Sequence, residues 1–255
     1  MSFLGSSSPP APAAIITGVP YDATSTFRSG SALGPQAIRW ASQSIETYSP
    51  ILRRDLETVP FVDRGDLEVG TLGPEMLVDA VRRAVAAGDR AALTVLLGGE
   101  HTVSLGAVQA LSERYPDLAV VQLDAHTDLR DVYEGRRVSH ATVMRRIVEH
   151  VAPERIVALG IRAGTREEFV LAERYRTHSP LLSVTSTVWT WLQAHPVYVS
   201  LDIDVVDPSD APGTGNPEPE GIAARDLLTF VRRLGDLHVV GFDLVEVAPP
   251  HDPSS

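Results

Sequence analysis

The stretch Ala119-Val-Val-Gln-Leu-Asp-Ala-His-Thr-Asp128 decides how this chain is read. Five mostly apolar, partly β-branched residues run without a break into Asp124, His126 and Asp128. Such a run predicts a buried strand. Side chains alternate along a strand, so the spacing of two puts Asp124, His126 and Asp128 on one side while the segment stays extended. Two carboxylates and an imidazole crowded at a strand end repel and desolvate one another, and a cation removes that penalty. The plainer alternative is an acidic turn with a stray histidine. The rest of the chain decides between them.

Two other predicted strands end in the same residue types. The strand at 93–97 runs into Gly98-Gly-Glu-His101, and the strand at 196–201 runs into Asp202-Ile-Asp204. Sites in parallel sheets form at the carboxyl ends of strands. His101, Asp124, His126, Asp128, Asp202 and Asp204 therefore converge on one rim, and the joint pattern favours metal binding over acidic loops. Four carboxylates and two imidazoles make a hard, oxygen-rich donor set that suits Mn2+, with Fe, Co, Ni and Zn open on ligand type. The four negative charges balance two divalent ions. Asp124 and Asp202, each flanked by other ligands, are the natural bridges. Paired metals activate water for hydrolysis.

Further strands are predicted at 15–19, 59–63, 155–161, 181–184 and 238–244. Helices are predicted at 35–45, 103–114, 139–150, 165–176, 188–192 and 223–234. Another helix opens at Pro74 and is ended by Gly88, with Met76, Leu77, Ala80, Val81, Ala84 and Val85 on its apolar stripe. Ser139 and Thr165 are placed to cap helices, and Glu168 completes a capping box with Thr165. Alternating strands and helices predict an α/β fold with a mainly parallel central sheet and helices on both faces. Residues 1–13, rich in Ser, Pro and Ala, read as a disordered arm, and residues 14–255 as a single domain.

Composition narrows the function. The 255 residues are 44% hydrophobic and carry a net charge of −11. There is no Cys, so thiolate nucleophiles and Cys-ligated zinc are excluded. All 22 basic residues are Arg, which removes lysine chemistry. With no basic tract, binding to nucleic acid or an anionic membrane is not expected, and a negative field favours a cationic small molecule. No apolar run approaches the ~20 residues of a membrane span, and no secretory signal is visible. A cytoplasmic location is expected.

At this point the residues carry a resemblance. Gly98-Gly-Glu-His101, Asp124-Ala-His-Thr-Asp128 and Ser200-Leu-Asp-Ile-Asp-Val-Val-Asp-Pro208 resemble the three metal motifs of the ureohydrolase (arginase/agmatinase) family. The likeness extends from Gly18-Val-Pro-Tyr-Asp22 to about Asp252, through Phe27-Arg-Ser-Gly30, Leu159-Gly-Ile-Arg162 and Ala211-Pro-Gly-Thr-Gly215. It implies a three-layer αβα, arginase-like fold, two Mn2+ per subunit, hydrolysis of a guanidino group, and a homo-oligomer, trimeric or hexameric. It implies that His101, Asp124, Asp128 and Asp202 hold one ion, and Asp124, His126, Asp202 and Asp204 the other. Glu246 matches the glutamate that pairs with the guanidinium, and His140 the histidine that passes a proton to the leaving amine. The family's usual Gly-Gly-Asp-His carries Glu100 here, expected to be tolerated behind the ligands.

For the substrate, Arg130 stands where arginases carry an Asn that reads arginine's amino-acid end. The segment from Leu129 to His140 looks instead like agmatinases, which implies agmatine as substrate, with Asp131 or Glu134 meeting its amine. Arg130, Arg136 and Arg137 keep guanidinobutyrate or another guanidino acid open, and arginine is a further alternative. The chain stops at His251-Asp-Pro-Ser-Ser255, where the family continues into another helix, so an inactive truncated paralogue serving as a metal-binding subunit is the non-enzyme reading. A related metal-dependent deacetylase is disfavoured by Asp202 and Asp204.

Overall fold

The computed structural model describes residues 1–253; the last two residues of the expected 14–255 domain lie outside the described residues. In chain order the strands are β1 (Ala14–Val19), β2 (Tyr48–Ser49), β3 (Arg54–Asp55), β4 (Phe61–Asp66), β5 (Leu93–Gly98), β6 (Ala119–Leu123), β7 (Ile156–Leu159), β8 (Thr177–Ser179), β9 (Pro196–Asp202) and β10 (His238–Val245). The α-helices are α1 (Gly34–Ser42), α2 (Pro74–Ala86), α3 (Val103–Arg114), α4 (Val143–Ile147), α5 (Arg166–Ala172), α6 (Ser186–Gln193) and α7 (Ala224–Arg233). Eight strands form one sheet in the order β4-β1-β5-β10-β9-β6-β7-β8, and every pairing in it is parallel. Strands β2 and β3 form a separate antiparallel hairpin. No helix among the described residues is long and apolar enough to cross a membrane.

Strand alternation divides the core. Ala119, Val121 and Leu123 of β6 pack with Leu192 of α6 and Leu227 and Phe230 of α7. Val120 joins the opposite layer, with Leu77 and Val81 of α2 and Val108 and Leu111 of α3. The sheet is thus covered on both faces, which is why its strands read as apolar runs.

Several boundaries differ from the sequence reading. The strand expected at 181–184 is not one. The sheet edge is β8, whose Thr177, His178 and Ser179 pair with Val157, Ala158 and Leu159. The fifth helix stops at Ala172, because Arg176 N–H must already donate to Ile156 to start that ladder. The helix expected at 139–150 is a 3-10 turn at His140–Thr142 followed by the five-residue α4. Ser139 and Thr142 cap it reciprocally. In α2 the buried residues are Leu77, Val78, Val81 and Val85, while Met76 is exposed. Close approach to α3 sets that rotation: a Cβ on Gly106 would lie 2.5 Å from the Val78 carbonyl oxygen.

At the β1–β4 edge, Arg39 of α1 donates to both Asp63 oxygens at 2.7 and 2.9 Å and to Asp66 at 2.5 Å. Phe3 N–H also donates to Asp63, and Asp63 N–H donates to Ser6, so the N-terminal residues run beside β4. Burial opposes ionisation of Asp63, but Arg39 and the amides of Phe3 and Gly65 hold its pKa below the usual carboxylate value. A depressed folded pKa means that this stabilisation is present above the ordinary carboxylate range and is lost as pH falls through the folded value. Arg39→Met strands the buried Asp63 charge and is expected to cost about 3 kcal/mol at pH 7. Urea denaturation at pH 7 and pH 3 checks this, and the variant should lose less stability on acidification than the wild type.

Candidate metal centre

The site sits at the carboxyl ends of four adjacent strands, β5, β10, β9 and β6. His101 follows β5 at the turn into α3. Asp124 follows β6, Asp202 ends β9 with Asp204 just beyond it, and Glu246 follows β10. The β5 turn needs Gly99, because a Cβ there would strike the backbone of Tyr21. The crossing segment is fixed by Gly99 N–H donating to Val19 and Glu100 N–H to Tyr21.

His101 Nδ1 lies 3.1 Å from Asp124 Oδ2, 3.0 Å from Asp128 Oδ2 and 3.6 Å from Asp202 Oδ2. His126 Nδ1 lies 2.9 Å from Asp204 Oδ2 and 3.7 Å from Asp124 Oδ1. Asp124 therefore belongs to both groups, while Asp202, the other expected bridge, lies beside His101. All six residues expected as ligands come together. The segment after β6 does not stay fully extended: Asp128 takes a left-handed φ of 50°. That turn lets Asp128 share His101 with Asp124 while His126 faces Asp204.

The carboxylates strain one another. Burial, then the charges of Asp128 and Asp204, pushes Asp124 up to about 7. Burial, with Asp204 and Asp124, holds Asp202 well above the usual value. Burial opposes charge on His126, yet Asp204 pushes it up to about 11. Asp204 in turn is held below the usual value, burial being outweighed by His126. His101 Nδ1 is buried with no hydrogen-bond partner and faces only carboxylate oxygens. Excess negative charge, an orphaned imidazole nitrogen and an O/N donor set all fit divalent metal ions.

Further residues fix these donors. His101 Nε2 lies 2.9 Å from Ser200 Oγ, which donates to Asp243 at 2.8 Å. Tyr198 OH also donates to Asp243. Gln122 donates to Asp124 at 2.9 Å, and Ala125 N–H to Asp204 at 3.0 Å. Sequence reasoning assigned no role to Asp243, although a carboxylate inside a buried strand was a visible signal. Glu100 is fully buried and accepts from Thr24 N–H at 2.6 Å and from Thr102 Oγ1 at 2.5 Å. Thr24 Oγ1 and Thr26 Oγ1 lie 3.4 and 3.3 Å from the two ring nitrogens of His140. Glu100 thus ties the loop that holds His140.

A cavity of about 280 Å3 opens onto the centre. Its lining includes His126, Asp128, Asp202, Asp204, His140 and Glu246, and also Arg130, Tyr133, Glu168 and Glu218. Glu246 Oε1 accepts from His101 N–H at 2.7 Å. Asp131 and Glu134 do not line this cavity. Asp131 is taken by Arg146 at 2.5 Å, with Arg137 and Arg145 nearby, and Glu134 points into an exposed turn. Two further acids line the cavity: Glu218, 3.5 Å from His126 Nε2, and the buried Glu168, which is bonded to Thr127, Leu129 and Thr165. The sequence marked Glu168 as a helix cap, and the structure gives it that bond as well as a place on the cavity wall.

A profile of the arginase family matches residues 12–255. The agmatinase of Bacillus anthracis is 41% identical over 246 residues, covering 94% of this chain and 85% of that protein. The agmatinase of Bacillus subtilis (strain 168) is 40% identical over 247 residues, covering 94% and 85%. The solved agmatine ureohydrolase of Thermoplasma volcanium superposes with a TM-score of 0.87 at 33% identity, covering 99% of this chain and 87% of that one. The chain belongs to the arginase family, a family of binuclear metal enzymes. Within it, this protein is a ureohydrolase.

Ser200→Ala removes the oxygen that orients His101. It is expected to weaken divalent-metal binding by about tenfold to a hundredfold. Equilibrium dialysis with manganese checks this, with Asp124→Ala losing bound metal far more severely.

Proposed function

We propose that the protein hydrolyses agmatine to urea and putrescine, using two manganese ions per subunit. The observation that carries the reading is that two His–carboxylate groups sharing Asp124 border one cavity with the buried Glu246. In this reading His101, Asp124, Asp128 and Asp202 hold one ion, and Asp124, His126, Asp202 and Asp204 the other. Bound there, the ions supply the charge that makes water a nucleophile near neutral pH.

The chain's own residues do the rest. Glu246 has one oxygen engaged by His101 N–H, which leaves Oε2 for the guanidinium, and a carboxylate is its planar partner. Burial and the charge of Glu100 hold the Glu246 pKa well above its usual value, and a cationic substrate favours the carboxylate again. Water oxygen adds to the guanidino carbon, and the bond from that carbon to the chain nitrogen breaks. His140, buried and set by Thr24 and Thr26, delivers a proton to the leaving nitrogen.

The tail is read at the mouth. Glu218, with its side chain 38% exposed, is the acid best placed for agmatine's ammonium. It takes the role expected of Asp131 or Glu134. The relatives named agmatinase support the same choice. Arg130 favours a second reading, since it also lines the cavity and would pair the carboxylate of guanidinobutyrate. Its charge is partly answered by Glu168 at 3.8 Å, and its guanidinium stacks 4.8 Å from the Tyr133 ring centre.

Urea release by manganese-loaded protein, measured with agmatine, arginine and guanidinobutyrate, tests the reading. Agmatine should give the highest kcat/KM, and Asp124→Ala should abolish release. Glu218→Gln should raise KM for agmatine about tenfold or more with kcat little changed, the worth of one charge-assisted hydrogen bond. Urea from guanidinobutyrate but not agmatine would overturn the substrate. No urea from any of the three, with metal bound, would overturn the reading.

A further inference from the structure

The motif Leu159-Gly-Ile-Arg162 has no part in the chemistry described so far, yet its arginine is fully engaged. A guanidinium has five N–H donors, and here each meets a main-chain carbonyl. Nε donates to Pro219 at 2.9 Å. Nη1 donates to Gly160 at 3.1 Å and to Val205 at 3.2 Å. Nη2 donates to Asp204 at 2.7 Å and to Glu218 at 2.9 Å. The backbone of the same residue is fixed as well, since Arg162 N–H donates to the Ala125 carbonyl at 2.8 Å, between Asp124 and His126. Gly160 permits the approach: it takes a φ of 90°, and a Cβ there would lie 2.9 Å from the Asp124 carbonyl oxygen. One residue therefore joins three segments, the turn after β6, the residues just past β9 and the loop that carries Glu218.

That loop has few other means of holding Glu218 in place. Glu218 stands between Pro217 and Pro219. Neither proline has an N–H to donate, and a residue before proline is confined to extended backbone. The Pro-Glu-Pro segment is thus stiff within itself, and its carbonyls are what a neighbour can grip. The two ends of the loop are clipped together, with Ile222 N–H donating to Val205 and Asp207 N–H to Ile222. Between those ends the Arg162 fork ties the carbonyls of Glu218 and Pro219 to those of Asp204 and Val205. A planar fork fixes direction as well as distance.

We propose that Arg162 is a positioning residue that sets the length of substrate this enzyme accepts. The inference rests on the functional reading above, in which the guanidino end lies at the metal centre and Glu218 meets the ammonium. Arg162 holds those two ends at one separation, and the chain between guanidine and amine must match it. One methylene too few leaves the ammonium short of Glu218. One too many forces the chain to buckle or displaces the guanidino carbon. Lysine would keep the charge, but its three donors sit on one nitrogen and cannot hold four carbonyls in two segments.

Urea release by manganese-loaded protein, measured with agmatine and with its homologues one methylene shorter and one longer, tests the proposal. Native protein should prefer agmatine over each homologue by about tenfold or more in kcat/KM, and Arg162→Lys should bring both ratios to within about threefold of unity. Loss of metal or of stability lowers all three substrates alike and leaves the ratios standing, so a merely structural arginine does not give this result. In a Glu218→Gln background, Arg162→Lys should change the ratios no further. Glu218→Asp, with Arg162 intact, shortens the acid and should move the preference to the longer homologue. Amide hydrogen exchange across residues 205–222 gives a readout apart from turnover. It should be several-fold faster in Arg162→Lys and native in Glu218→Gln. Unchanged ratios or unchanged exchange in Arg162→Lys, or a preference that stays with agmatine in Glu218→Asp, would overturn the proposal, while urea release from agmatine leaves the functional reading standing. No urea from any of the three amines with native protein would overturn both.

Discussion

His101 Nδ1, on a fully buried side chain, faces oxygens of Asp124, Asp128 and Asp202 at 3.0 to 3.6 Å. Carboxylates gathered so closely cannot all ionise at neutral pH without a compensating positive charge. The surrounding structure holds them there regardless. Ala125 N–H engages the Asp204 oxygen turned away from His126, the Ser200–Asp243 pair engages His101 Nε2, and Gln122 donates to the Asp124 oxygen that faces His101. The rigidity of those partners keeps a repulsive cluster assembled, and that preorganisation lets metal ions bind without the chain having to rearrange.

The parallel sheet is the device that delivers this arrangement. A parallel sheet points every carboxyl end the same way, so residues from β5, β6, β9 and β10 meet with little contribution from long loops. Strand β10 lies between β5 and β9, and its register sets Val245 opposite Asp202. Glu246 follows at once with a φ of 61°, which turns its carboxylate toward His101 N–H. The left-handed φ of Asp128 serves the same end on the far side of the centre. Strained backbone at both places is consistent with residues held for a role.

Recognition beyond the guanidino group depends on loops. Asp131 is near the right segment, but Arg146, Arg137 and Arg145 surround it, and a carboxylate already answered by arginines attracts an ammonium weakly. Glu218 reaches the cavity from a Pro- and Gly-rich loop more than eighty residues further along the chain. Glu100, expected to be a neutral replacement, anchors the Thr24–Thr26 loop and through it His140. One buried side chain thus fixes the position of His140 on the cavity wall.

The strand-end pattern was legible because local chemistry dictates it. Apolar runs ending in Asp124, His126, Asp128, Asp202 and Asp204 announce both a covered parallel sheet and a cation, and the capping box at Thr165 and Glu168 follows from backbone groups a few residues apart. Edge elements were not legible. β8 and the β2–β3 hairpin are two- and three-residue strands chosen by hydrogen-bond register with a neighbour, not by their own composition. The rotation of α2 was set by its contact with Gly106 on α3. The sequence by itself determined which residue types gather at the strand ends and that they form a donor set fit for a cation, since repulsion between buried carboxylates is a property of the groups. Only the tertiary structure decided which acids reach the cavity and which are neutralised beside it, because that depends on distances between segments remote in the chain.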